Sequence, residues 1–525
     1  MKINRKFFIF SLWAFVTLIQ SIIFLDETSL ASALMVVLGG FIAYIFVFRH
    51  RLLVNFPVST MMIAGFSTHY FFLPPIATLI EGKSLTNNID SPLLVLFNSI
   101  LCLVVLLAAH HAYRVSRATT VRHAIAERLY RPLGYFNAPS NVQLLLMGMF
   151  GILAMLQQVF MTGVHEETGI WDKLIQGIYP LAYLPYLILV GFIFDDKNRT
   201  KPRLNTKWMI ILALYTATLL FLSAGKNSRT AFFVGITSVA LVYLYGAIVK
   251  LNSGKLFRIK YLAPLTLLAT ALLGPISDLA TSMVIVRSHR ADTSAMELAG
   301  ETMRVFMDKE RIRAFRGESH SNSIWDETYV DNLFLARLCN LKYADNGLDL
   351  AKSLDSGRRS FLRELELQKA FAILPQPILD ALGMNIDKEL VSQASGGDLL
   401  LYAATGNQYV LGGFRTGSMF GSGYALFGWW YLPAFFVFFF ITFILADAQT
   451  TRSTYKNNGK YYLRPILSPM LAITLFHWFF YFTSAASGIE STAGLLTYII
   501  RGWLQTLILY TILYRSTSFL IIKWK

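Results

Sequence analysis

Charge is scarce in this chain: Asp, Glu, Lys and Arg make up 15% of its 525 residues, while 55% are hydrophobic. That balance excludes a single soluble domain, whose core could not hide so much apolar surface. Cysteine is nearly absent as well. Cys102 falls in an apolar run and Cys339 in a polar segment, so neither a disulfide nor a thiolate metal site is expected. There is no Cys-x-x-Cys, His-Glu-x-x-His, Gly-x-Ser-x-Gly or Asp-x-Asp, and no glycine-rich stretch runs into Gly-Lys-Ser or Gly-Lys-Thr. Zinc, serine-hydrolase, metal-nucleotide-sugar and phosphate-loop chemistry therefore lack an anchor.

What is present is a series of apolar runs of the length that crosses a bilayer. We count twelve: 7–25, 30–48, 58–80, 92–112, 142–163, 176–194, 207–224, 230–249, 261–286, 424–446, 465–487 and 493–515. The spacing predicts an all-α polytopic membrane protein of about 12 transmembrane helices. It divides into an N-terminal membrane domain (1–286), one large extracytoplasmic loop between spans 9 and 10 (287–422) and a C-terminal membrane domain (423–525). The basic start followed by a long apolar run reads as a retained first span, because that run is long for a signal peptide.

Orientation follows from the cations. With Met1 inside, the inner segments hold 26 of the 47 Lys and Arg, whereas the short outer loops share Lys83, Lys173, Lys226 and Arg229. The positive-inside rule then puts both termini in the cytoplasm. The segment 287–422 carries 16 cations against 18 acids, so the net charge of +16 is a topology signal and gives no support to nucleic-acid binding. The arginines of the inner loop 113–141 (Arg114, Arg117, Arg122, Arg128 and Arg131) are expected to contact anionic membrane lipids.

Single polar residues carry weaker signals. Asp26-Glu27 opens an outer turn only a few residues long, too short for the acidic metal loop of metal-using glycosyltransferases, and no metal is expected there. His69, inside the third run, reads first as a neutral imidazole bonded between helices and second as functional. His165-Glu166-Glu167 reads as a solvated cap, with a general base as the alternative. Pro275 should kink the ninth run, and Asp278 faces the turn cations or Arg287. In the outer segment, amphipathic helices are expected over Val330–Leu341 and around Leu298–Phe315. Polar clusters at Arg287-Ser288-His289-Arg290, His320 with Asp326-Glu327, Asp331 with Arg337, and Arg358-Arg359 punctuate them. Glycines from Gly406 to Gly428 suit a bent return to the membrane.

One stretch stands apart. Ser223-Ala224-Gly225-Lys226-Asn227-Ser228-Arg229-Thr230 separates two spans on the outer side, where cations are normally avoided. Lys226 and Arg229 share a helix face beside the free N–H groups and positive dipole end of the next span, which together make an anion site. The alternative is a pair that snorkels to lipid headgroups. Arg501, eight residues inside the last run, also calls for a buried anionic partner.

At Ser223–Thr230, and again at Gly421-Ser422-Gly423-Tyr424-Ala425-Leu426-Phe427-Gly428-Trp429-Trp430, the chain resembles the bacterial oligosaccharide repeat-unit polymerases of the Wzy type and, more distantly, the O-antigen ligases. The order and spacing match over roughly 207–446. The turn departs by carrying Lys226-Asn227, and the His-bearing loop motif of the ligases has no counterpart. The resemblance implies a GT-C-like helical fold and metal-independent transfer from an undecaprenyl-pyrophosphate oligosaccharide. Transfer would occur on the outer face of the bacterial inner membrane, without a cofactor, alongside a chain-length regulator and a flippase. Lys226 and Arg229 would hold the pyrophosphate, with Arg287, Arg290 and Arg501 in support. His320, Asp326 or Glu327 would supply the base. A ligase, or a transporter or flippase for the lipid-linked glycan, is the alternative; the halves show none of the repeat expected of a transporter.

Overall fold

The computed structural model describes residues 5–160, 177–194, 205–225, 229–251, 274–286, 295–317, 325–372, 374, 376–413, 415–457, 460–482 and 491–523. A backbone inside a bilayer has no water to bond to, so apolar runs of this length close their own hydrogen bonds as helices. In chain order α1 is Arg5–Ile23, α2 Ser29–Phe46, α3 Pro57–Ile80, α4 Pro92–Val115, α5 Asn141–Phe160, α6 Tyr179–Ile193, α7 Thr206–Gly225 and α8 Arg229–Ile248. Next come α9 (Pro275–Ile285), α10 (Ala295–Met307), α11 (Lys309–Gly317), α12 (Leu333–Arg337), α13 (Leu341–Ser353), α14 (Ser356–Phe371) and α15 (Gly396–Thr405). The chain closes with α16 (Met419–Phe427), α17 (Tyr431–Asp447), the strands β1 (Thr450–Asn457) and β2 (Lys460–Leu467), α18 (Pro469–Phe479) and α19 (Thr492–Ile522).

Among the described residues, seven helices are long and apolar enough to cross a membrane: α1 to α4, α7, the α16–α17 pair and α19. Shorter apolar helices lie in α5, α6 and α8. The chain is thus a nearly all-helical protein with the character of a membrane protein. α3 has the largest buried share of the seven and forms the central pillar. It packs against α2, α4, α17 and α18. Its approach to α18 is so close that a Cβ added at Gly65 would stand 1.7 Å from the Phe479 carbonyl oxygen.

The polar connections sort to two ends of this bundle. At one end the α1–α2 turn meets the α3–α4 turn, where Ser84 Oγ donates to Asp26 at 3.2 Å and Thr86 also donates to Asp26. The stretch before α12 rests on the α3–α4 turn: Lys83 pairs with Asp331 at 2.6 Å, Glu81 accepts the Asp331 and Asn332 N–H groups, and Asn87 donates to the Tyr329 carbonyl. At the other end the Arg122 guanidinium, 1% exposed, donates to the main-chain carbonyls of Asp447 and Asn55 and to Thr450 Oγ1. The buried Asp447 carboxylate accepts from Val58 N, Ser59 N and Ser59 Oγ there. Gln143 reaches the Tyr514 carbonyl at the same end. Among the described residues, the α1–α2 and α3–α4 turns, both expected outside, share the first end, and the 113–141 loop and the connection after α17, both expected inside, share the second.

Several elements depart from the sequence expectation. The second end contains an antiparallel hairpin, registered from Thr450↔Leu467 to Asn457↔Lys460. Its β-branched and aromatic residues favour strands, and Asn458-Gly459 is a hairpin-turn signal. The hairpin runs into the expected eleventh span and leaves α18 with eleven residues. The tenth span bends at Gly428, whose φ of 55° no side chain favours. Pro275 stands at the start of α9 rather than inside a described helix; residues 252–273 lie outside the described residues. The helix expected over 298–315 is two, divided at Asp308, whose carboxylate accepts the Arg311 N–H at 3.0 Å. The helix expected over 330–341 is also broken, for a reason that belongs to the site.

Candidate functional site

α7 ends at Gly225 and α8 begins at Arg229, so three residues join two apolar helices. Ser223 Oγ donates to the Leu219 carbonyl of its own helix at 2.7 Å. Arg229 occupies the first helical position of α8, where backbone N–H groups have no partner inside the helix. Lys226, Arg287, Arg290 and His320 lie outside the described residues, as does the His165-Glu166-Glu167 loop. Arg501 sits on a π-helical turn, Tyr498–Gly502, where α19 widens.

Asp326 and Glu327 lie side by side at the first end, each bonded to several donors. Asp326 accepts from Asn88 Nδ2 at 2.6 Å and from the Thr328 N–H at 2.9 Å. Burial would raise its carboxyl, but these donors and the Lys342 charge outweigh it and hold it below the usual carboxylate range. A carboxylate so stabilised is a weak base. Glu327 accepts from Trp325 Nε1 at 3.2 Å, Arg337 at 3.3 Å and the Thr416 N–H. Within the polar cluster of Asp331 and Arg337, Arg337 pairs with Glu327 and Asp331 with Lys83. Asp278 pairs with Lys309 at 2.9 Å; Lys226 and Arg287, which the sequence offers as its partners, lie outside the described residues.

The cations of α14 are helix caps. Arg358 donates to the Ala404 carbonyl at the end of α15, and Arg363 to the Leu426 carbonyl at the end of α16, both at 2.7 Å. Arg359 spans the Leu354 and Ala351 carbonyls where α13 ends. Terminal carbonyls have no partner inside their own helix, and a guanidinium fork satisfies them. Among the described residues, the three-carboxylate group with metal-ligand spacing is Asp90, Asp345 and Asp349. It already holds ammonium groups: Lys342 lies 3.1 Å from both Asp90 and Asp345, and Lys352 lies 3.0 Å from Asp349.

A buried polar seam runs where α13 and α16 meet α3 and α19. His69 is 0% exposed and sits on a π-helical turn of α3, Thr68–Phe72. Such a turn widens the helix and frees backbone groups. The Asn340 N–H donates to the His69 carbonyl at 3.1 Å, and the His69 ring nitrogen Nδ1 lies 2.9 Å from the Leu338 carbonyl. The expected 330–341 helix is cut short to α12, and residues 338–340, which make these two bonds to His69, separate it from α13, which begins at Leu341. The bonded-imidazole reading of His69 holds, but its partner is main chain of the segment 287–422, 269 residues away.

Farther along the seam Glu366, on α14, is 5% exposed. One oxygen accepts the Ala493 N–H at 2.9 Å and the other faces Ser422 Oγ at 3.4 Å. Burial pushes this carboxyl above its ordinary range, against the pull of the Ala493 N–H and the Lys369 charge. Glu366 thus closes the first turn of α19, the helix that bears Arg501. It went unremarked in the sequence, yet its signal is there: it stands on the apolar stripe of Leu362, Leu365 and Ala370. A carboxylate on the buried face of a helix has to be accounted for.

No family model, curated protein or solved structure matches this chain.

Proposed function

We propose that this chain is a membrane glycosyltransferase that polymerises oligosaccharide repeats carried on a lipid pyrophosphate. It would act outside the cytoplasmic membrane, with both termini in the cytoplasm and without a metal. The α7–α8 junction is the observation that carries the reading: two apolar helices are separated by three residues, and Arg229 opens the second of them. A pyrophosphate seated there meets the free N–H groups of a twenty-residue helix together with Arg229 and, next to them in sequence, Lys226.

The chemistry follows from where the reaction takes place. No nucleotide sugar is available outside the cell, so the activated bond has to arrive in the lipid-linked donor. As the anomeric C–O bond breaks, negative charge grows on the departing diphosphate. Charge-assisted hydrogen bonds from Arg229 and Lys226 strengthen as it does, and such bonds lower the barrier. Arg287, Arg290 and Arg501 would extend the cationic surround. The GT-C-like fold and the remaining partners, a chain-length regulator and a flippase, rest on the resemblance alone.

The test is reconstitution. Purified protein in liposomes with an undecaprenyl-pyrophosphate oligosaccharide is expected to give a ladder of products. Arg229→Ala should lower turnover by about 10²-fold or more, and Arg229→Lys should retain part of it. Transfer to another acceptor with no ladder would make it a ligase. Neither product from the wild type, or a normal ladder from Arg229→Ala, overturns the reading.

A further inference from the structure

The cations at the second end sort into those that hold the protein together and those that do not. Of the five arginines in 113–141, Arg122 is buried against main-chain carbonyls and Arg131 pairs with Glu127. Arg114 has no carboxylate partner among the described residues; its Nη2 donates to His111 Nδ1 at 3.3 Å. A guanidinium only donates, so that ring nitrogen is the acceptor and the imidazole carries its hydrogen on Nε2. Arg49 comes from the connection between α2 and α3. Its Nε donates to the Ile45 carbonyl at 2.7 Å, which folds the guanidinium back over the Phe46 ring at the end of α2. Its other N–H groups have no hydrogen-bond partner among the described residues. α2 packs against α4, and the Arg49 and Arg114 charges are close enough to act on one another.

Two like charges held together call for a counter-charge, and the neighbouring chain does not supply it. No Asp or Glu occurs in 28–80 or in 91–126. The carboxylates that other elements bring to this end are committed, Asp447 to the start of α3 and Glu127 to Arg131 and Thr451. The surface leading down to the two arginines is apolar. Leu34, Leu38 and Phe41 are exposed at helical spacing on α2, and Phe97 and Val104 on α4. His111 stands two turns below Val104 on the same exposed stripe, and Arg114 one turn further. Exposed apolar stripes on helices of this length face hydrocarbon, so the missing anion belongs where acyl chains end. A soluble phosphate would make no use of the stripes, and a zwitterionic lipid would bring a cation of its own.

We infer that Arg49 and Arg114 bind the phosphate of an anionic phospholipid in the leaflet at this end, with His111 as a further donor and the acyl chains along the stripes of α2 and α4. Charge-assisted bonds from guanidinium N–H groups to phosphodiester oxygens are short and strong, and a guanidinium fork matches two oxygens at once. The headgroup cancels the repulsion between the two arginines and ties the ends of α2 and α4 together. It does so at the end where Arg122 already fixes the α2–α3 connection through the Asn55 carbonyl. The inference is independent of the glycosyl-transfer reading, since it uses neither the α7–α8 junction nor the layer from α12 to α16.

Native mass spectrometry of the purified protein, titrated with phosphatidylglycerol and with phosphatidylcholine, tests the site. The wild type should hold the anionic lipid more tightly. Arg49→Gln and Arg114→Gln should each weaken that binding about fivefold and leave phosphatidylcholine binding unchanged. Arg128→Gln removes an exposed cation from the same end and should change neither. Equal affinity of the wild type for the two lipids, or a loss in Arg128→Gln as large as in the other variants, overturns the inference. Displacement of the lipid by excess inorganic phosphate makes this a site for a soluble anion and overturns it too. A second measurement needs no variant and so does not depend on their folding: the wild type is irradiated in nanodiscs containing phosphatidylglycerol with a photoreactive diazirine on its headgroup, then digested. Crosslinks should fall on peptides that contain Arg49 or Arg114, and labelling confined to other peptides overturns the inference.

Discussion

Glu366 shows what a single buried carboxyl can control. Its oxygens meet Ala493 N–H and Ser422 Oγ, and burial raises its folded pKa above the unfolded value. The folded state therefore holds this proton more tightly than the unfolded state does. Between the two pKa values the unfolded chain has lost the proton and the folded one has kept it, so stability falls as pH rises through that window. Below the unfolded pKa there is no penalty, and above the folded pKa the penalty is complete. Glu366→Gln keeps an acceptor for Ala493 and cannot ionise. Its melting temperature should fall less than that of wild type as pH rises from below the usual glutamate range toward neutrality, measured by thermal unfolding in detergent. Parallel curves for the two proteins would remove Glu366 from the pH dependence. Asp326 shows the opposite case, since its donors hold the carboxyl low and commit it to the α3–α4 turn.

At the scale of elements, contacts between backbones decide the arrangement. α3 and α18 approach through Gly65, where a Cβ would overlap the Phe479 carbonyl oxygen at 1.7 Å. A carbonyl in a helix cannot rotate away as a flexible side chain can, so Gly65→Ala must separate the two helices. The expected loss is about 1–3 kcal/mol or more, read as a lower melting temperature and a poorer yield of monodisperse protein. Gly300, in α10, is the matched control, because a Cβ there meets nothing within 4 Å. Gly300→Ala should stabilise by about 0.5–1 kcal/mol through helix propensity alone. If both variants behave alike, the contact does not govern the packing. α13 and α16 repeat the arrangement, since a Cβ at Gly421 would lie 2.8 Å from Gly347 Cα.

At the scale of the molecule, the two ends have distinct roles. One end is clamped by Arg122, Asp447 and the hairpin, and the other carries the helical layer from α12 to α16. The proposed chemistry requires that layer to face outward. Single-cysteine labelling tests this directly, because both native cysteines are buried and contribute little background. Ser353 and Arg128 are exposed at opposite ends. An impermeant maleimide should label Ser353→Cys in intact cells and Arg128→Cys only after permeabilisation. The reverse pattern would put the α7–α8 junction on the cytoplasmic side and remove its proposed substrate.

Most spanning helices were legible in the order of residues because a bilayer leaves a long apolar run one way to satisfy its backbone, and that constraint is local. The ends of α1 to α4, α7 and α8 fall within a few residues of the apolar runs for that reason. The hairpin was legible too, in its β-branched and aromatic residues beside Asn-Gly, but a polar connection weighed only for charge hides it. The partners of the buried polar groups were not legible. His69 bonds Leu338 and Val58 bonds Asp447 across separations of 269 and 389 residues. Nothing local encodes such pairings, because a hydrogen-bond donor is satisfied by whichever acceptor packing brings within reach. Sequence alone therefore marked most of the long apolar helices, whereas the tertiary structure decided which carboxylates are tethers, which arginines are caps and which imidazole nitrogen meets a carbonyl.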